Sequence, residues 1–163
     1  MKRFTGGFLL LSVIIVPLLA CESSQPKTEA SPWVQSSNEN LQKIPVLGFD
    51  YKASEVSRAQ WNRWAKENRT TVEKVLKDLP QGYVLQITGH TDARGPEEPE
   101  GDKPGNLKIS SDRAKMVYDA LKASGITSPR LTYRGVGSAQ PISTVPEKSA
   151  KQRRVSFEVV PAN

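Results

Sequence analysis

The sequence predicts a two-layer α/β (α+β) sandwich: a four-stranded mixed sheet with helices on one face, in the order β-α-β-α-β-β. Three observations carry this. Runs rich in β-branched and aromatic residues alternate with stretches whose apolar residues recur at helical spacing, the pattern of strands joined by helical crossovers. Each helical stretch has a serine near its start and a Gly or Pro near its end. The last run alternates Arg153, Val155, Phe157 and Val159 against Arg154, Ser156, Glu158 and Val160, as a strand with one covered face does. At 163 residues the chain has room for one domain with a proper core and not for two.

In chain order, residues 1–20 carry Lys2 and Arg3 and then an apolar run from Phe8 to Ala20 interrupted by Pro17. The run is shorter than the roughly 20 residues of a membrane-spanning helix and fits a signal-peptide core. Residues 21–43, rich in Ser, Glu, Gln, Asn and Pro, hold too little apolar material to offset their ordering entropy. They are expected to form a flexible tether behind Cys21, with the domain spanning 44–163. Ile44, Val46, Leu47 and Phe49 predict a short first strand, ended by Asp50 and Tyr51. Ser54 or Ser57 can cap a helix in which Trp61, Trp64, Val72, Val75, Leu76 and Leu79 share a stripe, stopped by Pro80 and Gly82. That stripe makes the tryptophans core residues rather than a sugar-stacking platform. Tyr83 to Thr88 predicts the second strand. Ser111 to Ser124 predicts the second helix, with Ser110 as its cap and Gly125 as its stop. Arg130 to Val136 and Gln152 to Val160 predict the last two strands.

Composition excludes several functions. The net charge of +6 falls to +4 once Lys2 and Arg3 leave with the leader, and no Lys/Arg stripe is interleaved with aromatics, so no nucleic-acid partner is expected. One cysteine and one histidine cannot form an internal disulfide or a site built from several Cys or His ligands. No cofactor is expected. His90 has no partner base or nucleophile, and no carboxylate pair stands on a rigid element, so no enzymatic activity is expected either.

The informative stretch is Ile87 to Met116. Asp92 follows a strand end, in a loop where Gly89 and Gly95 permit tight turns, and Arg113 is expected in the first turn of the second helix. A helix start with a planar bidentate donor suits a carboxylate, and Asp92 suits an ammonium. A zwitterionic amino-acid head group satisfies both. A plain Asp92–Arg113 salt bridge tying loop to helix satisfies the same residues.

Gly89-His90-Thr91-Asp92, Gly95, the Asn106-x-x-Ile109-Ser110-x-x-Arg113-Ala114 spacing, Gly125-Ile126, Gly135-x-Gly137, Pro141-Ile142 and Arg153-Arg154-Val155 together resemble the OmpA C-terminal-like domain. Leu18-Leu19-Ala20-Cys21 resembles the lipobox of bacterial lipoproteins, and the whole chain is similar to the peptidoglycan-associated lipoprotein type. The resemblance implies lipidation of Cys21 by a diacylglycerol and a further acyl chain such as palmitate, enough for stable anchoring where one chain is marginal. It implies non-covalent binding of peptidoglycan through the diaminopimelate of the stem peptide. Asp92 would take the ammonium and Arg113 the carboxylate, with Thr91, Asn106, Phe49 and Asp50 lining the site. Arg153 joins them more weakly, because strand phase does not choose between Arg153 and Arg154. Glu22 after the cysteine, in place of the Asp associated with inner-membrane retention, points to the outer membrane, with the domain facing the periplasm.

Three departures stand out. The loop from Gly95 to Asn106 is longer than the family usually has and carries Glu97, Glu98, Glu100 and Asp102. Lys148-Ser149 replaces a Gly-Arg, and Gln152 replaces an Asn. The acidic loop is read either as a solvated excursion or as a lid or second contact surface beside the pocket. A second reading of the protein gives that loop a protein partner in the envelope or on a host surface.

Overall fold

Helix α1 spans Pro32–Leu41 and helix α2 Arg58–Asp78. Strand β1 (Tyr83–Gly89), helix α3 (Gly105–Ala123), strand β2 (Leu131–Gly135) and strand β3 (Val155–Pro161) follow, with a short 3-10 turn at Ala150–Gln152 before β3. The computed structural model describes residues 31–162; the predicted signal peptide, Cys21 and the first part of the predicted tether lie outside the described residues. Among the described residues no helix is long and apolar enough to cross a membrane.

The sheet is mixed, in the order β2-β1-β3, with β1 parallel to β2 and antiparallel to β3. Register places Ile87 between Tyr133 and Phe157. Leu85 and Ile87 from β1, Leu131 from β2, and Val155, Phe157 and Val159 from β3 face one core. The helices fill it with Trp64, Val72, Val75 and Leu76 from α2 and Ala114, Val117 and Leu121 from α3. Trp64 stacks between Trp61 and Phe157, with ring centroids 5.1 and 5.3 Å away, which settles both tryptophans as packing residues. Ser57 caps α2 in a reciprocal box with Gln60.

Three expectations need correction. The predicted first strand is reduced to a single bridge, in which Val46 and Val155 exchange two 2.9 Å backbone hydrogen bonds, so among the described residues the sheet has three strands and not four. Pro45 has no N–H to continue the ladder, and Gly48, at φ +90, turns the chain away. Part of the tether predicted over 21–43 is folded: Pro32–Leu41 is helical, capped by Ser31, and buries Val34 and Leu41 in the core. The second predicted helix begins at Gly105, several residues before Ser111. Its first N–H groups are satisfied from a distance, Asn106 N donating to the Pro96 carbonyl at 2.8 Å and Leu107 N to that of Glu97 at 3.0 Å.

Strand and helix approach closely where the site begins. A Cβ on Gly89 would lie 1.9 Å from the Ser110 carbonyl oxygen, and one on Gly135 2.2 Å from Ser111 N. These two glycines face each other across β1 and β2, and let α3 settle onto the strand ends. Ser110 is therefore inside the helix and not its cap; its hydroxyl donates to the Leu107 carbonyl and accepts from Gly137 N.

Candidate functional site

Four segments meet at the C-terminal end of β1: the loop from Phe49 to Ala53, the turn from His90 to Gly95, the face of α3 carrying Arg113, and Arg153 just ahead of β3. Arg113 is the buried centre, with 1% of its surface exposed. Its Nε donates to the Ala53 carbonyl (2.7 Å), Nη1 to that of His90 (2.8 Å) and Nη2 to that of Asp50 (3.0 Å), while the Phe49 ring lies 5.2 Å from the guanidinium carbon. Burial, with repulsion from Arg153 added, lowers its pKa to about 10. It stands in the third turn of α3 rather than the first, because the helix starts at Gly105. The helix-start contribution expected for a carboxylate ligand therefore does not reach it, since that field fades within one turn. Three of the five guanidinium N–H donors are engaged and two remain.

Asp92 is equally enclosed, at 2% exposure. Arg94 holds it from backbone N (3.2 Å), Nε (3.1 Å) and Nη2 (2.6 Å), and Arg153 Nη1 adds a fourth donor at 2.8 Å. Burial alone would raise the pKa of this carboxyl; hydrogen bonds from Arg94 and Arg153 outweigh it and hold the group below its ordinary range. Asp92 and Arg113 are brought to one place without pairing directly; the ion pairs of Asp92 run to Arg94 and Arg153.

The other predicted residues divide. Arg153 belongs to the cluster, bridging Asp92 and the Phe49 carbonyl (Nε, 2.7 Å), whereas Arg154 turns away to the carbonyls of Gln152 and Gln140. Phe49 is buried against Arg113, and Asp50 contributes its carbonyl while its side chain is exposed. Thr91 donates its N–H to the Gly137 carbonyl; its hydroxyl is buried and has no partner among the described residues. Asn106 holds the acidic loop, donating from Nδ2 to the Gly95 carbonyl and to the Glu97 carboxylate.

That loop is more than a solvated excursion. Glu97 turns inward, accepting from Asn106 and from the N–H and hydroxyl of Ser138, while Glu98, Glu100 and Asp102 stay exposed. The loop thereby becomes one wall of a pocket of about 150 Å³, lined also by Tyr51, Lys52, Arg94 and Ile109. Gln152 is buried and brackets the following loop, accepting from Ile142 N and donating to the Ile142 and Val145 carbonyls, so this departure is structural.

Sequence reasoning missed Arg94, which closes over Asp92, and Tyr51, on whose ring the Arg94 guanidinium rests at 4.3 Å. A signal was present: an Asp followed two residues on by a cation is the spacing of an Asx turn, here closed by Arg94 N on Asp92 Oδ1.

The family model described as "OmpA family" matches residues 60–154, more than half of the chain. The peptidoglycan-binding protein ArfA of Mycobacterium tuberculosis is 38% identical over 86 residues, which is 52% of this chain and 24% of that protein. The probable lipoprotein YiaD of Escherichia coli is 33% identical over 94 residues, 56% of this chain and 40% of that one. The chain thus matches well under half of the length of either relative. Among solved structures, the C-terminal domain of Helicobacter pylori MotB aligns with a TM-score of 0.54 at 18% identity, over 72% of this chain and 84% of that one. The peptidoglycan-associated lipoprotein of Burkholderia pseudomallei aligns at 0.53 and 24%, over 70% and 88%. At such identities the structural likeness is one of fold.

Proposed function

This chain belongs to the OmpA family, and from that premise we propose that it is a lipid-anchored, non-covalent peptidoglycan-binding protein that ties the outer membrane to the cell wall. Its ligand is the diaminopimelate zwitterion of the stem peptide. Asp92 receives the ammonium and Arg113 the carboxylate, Thr91, Asn106, Phe49 and Asp50 line the site, and Arg153 holds Asp92 in place. Cys21 carries the lipid. The mycobacterial relative, a peptidoglycan-binding protein, supports the wall as partner, and YiaD, a probable lipoprotein, supports the anchor.

The observation that carries the reading is the meeting, at the end of β1, of a carboxylate held ionised and a guanidinium with donors in reserve, with Arg94, which covers the carboxylate, lining the adjacent pocket. Neither is a surface charge. Burying opposite charges together in a site with spare donors prepares it for a ligand that brings both signs. Binding to purified sacculi tests it, with free diaminopimelate as competitor. Asp92→Asn and Arg113→Lys keep shape or charge and remove the specific contacts, and each is expected to weaken binding by about 2–5 kcal/mol. Thermal unfolding of each variant separates lost binding from lost fold. Folded variants that pellet with sacculi as well as the parent would refute the site.

A further inference from the structure

The Asp92 carboxylate has no acceptor position left. Four donors from Arg94 and Arg153 fill it, and an ionised carboxylate offers about four lone-pair sites. The proposed function, on which this inference rests, requires one of those positions for the ammonium of the ligand. Arg94 is the donor able to leave. Its side chain is 39% exposed against 12% for Arg153, which the Phe49 carbonyl also holds.

Where Arg94 goes is visible beside it. Its guanidinium already forms part of the wall of the pocket between Tyr51 and the inserted loop, together with Lys52 and Lys103, and no acidic residue lines that pocket. Lys52 takes part in no ion pair among the described residues. It is also the one non-glycine residue among them with positive φ, at 61°, a backbone conformation that L side chains rarely adopt. Lys103 comes from the inserted loop, and its nearest carboxylate, Glu100, is 3.7 Å away with both side chains largely exposed. The loop is held against the site by Glu97, on Asn106 and Ser138.

We propose that this pocket is a carboxylate subsite, taking a second carboxylate of the stem peptide next to the zwitterion, with Arg94 coupling the two. While the site is empty, Asp92 neutralises Arg94. When the ligand's ammonium takes over Asp92, the released guanidinium joins Lys52, which has no ion pair among the described residues, and Lys103, whose pair with Glu100 is exposed, and a neighbouring carboxylate of the same ligand restores the balance. The inserted loop thus serves selectivity: it rewards a free carboxylate beside the diaminopimelate and discriminates against an amidated one.

The test is calorimetric titration of the full chain with γ-glutamyl-diaminopimelate, its glutamyl α-carboxylate either free or amidated. The parent is expected to bind the free acid about 10-fold more tightly than the amide, a difference on the scale of one charge-assisted contact. In the Lys52→Gln/Lys103→Gln double variant, and separately in Arg94→Gln, the preference is expected to shrink to within about 2-fold; the double variant should unfold near the parent's temperature because both lysines are exposed, whereas Arg94→Gln, which removes side-chain donors from buried Asp92, should unfold lower and is titrated well below its own midpoint. Equal binding of acid and amide by the parent overturns the subsite and leaves the proposed function standing. A preference that survives in both variants places the discrimination elsewhere and overturns the assignment. If neither peptide binds, the proposed function fails, and the subsite with it.

Discussion

His90 shows what the fold does to one side chain. Its Nε2 lies 2.9 Å from the Ser156 hydroxyl, and its pKa is lowered to about 3 by burial first, then by the charges of Arg154 and Arg134. The unfolded chain takes up this proton near pH 6.5 and the folded protein does not. The stability associated with His90 is therefore complete above 6.5 and declines as pH falls toward 3, by about 1.4 kcal/mol per pH unit. Asp92 acts in the same direction further down: its folded pKa lies below the ordinary 3.8, so its contribution is present above 3.8 and is lost as pH falls through the folded value. Urea denaturation of the parent and of His90→Gln between pH 6.5 and 3 should show a shallower decline in the variant. Parallel curves would assign the acid sensitivity to other groups. The sequence offered His90 no partner; that two arginines bear on it follows from strand register and loop packing, which no local pattern encodes.

At the scale of elements, the edge of β3 is where sequence and structure part. Asn38 in α1 uses its side-chain amide as a neighbouring strand would use its backbone: Oδ1 accepts from Val159 N (2.7 Å), and Nδ2 donates to the Val159 carbonyl (3.1 Å). With the Val46 bridge at Val155, this covers an edge that would otherwise present open donors and acceptors. Asn38→Leu strands both Val159 groups and is expected to cost about 2–6 kcal/mol, from roughly 1–3 per unsatisfied group, read as a lower denaturation midpoint. A midpoint equal to that of the parent would mean that water satisfies the edge. The signs of α1 were present in Ser31 followed by Pro32, a capping residue before a proline at the first helical position, but polar neighbours made the stretch read as disordered. The early start of α3 carried no comparable sign, because its cap is the backbone of a loop folded onto it.

For the molecule as a whole, α2, β1, β2 and β3 were legible because their apolar periodicity is the packing of one core, and Asp92, Arg113 and Arg153, which meet at the end of β1, were singled out because a family spacing marks them. Their partners were not: that Arg113 serves three carbonyls, that Arg94 and not Arg113 covers Asp92, and that Glu97 fastens the inserted loop are all consequences of three-dimensional closure. The same closure extends the domain. Val34 and Leu41 are buried at 2% and 0% exposure, and α1 packs along β3, so the folded unit includes α1, ahead of Ile44. Each of these apolar side chains contributes at most about 1.5–3 kcal/mol when removed from water. Losing both, with the Asn38 contacts, takes a large share of the roughly 5–15 kcal/mol that holds a domain of this size together. A chain beginning at Ser31 is therefore expected to unfold in one transition. A chain beginning at Ile44 is expected to lose up to about 3–6 kcal/mol from these two side chains and to associate through the uncovered edge of β3. Sedimentation and urea unfolding of the two chains decide the matter: equal midpoints, with both monomeric, would return residues 31–43 to the role of a tether.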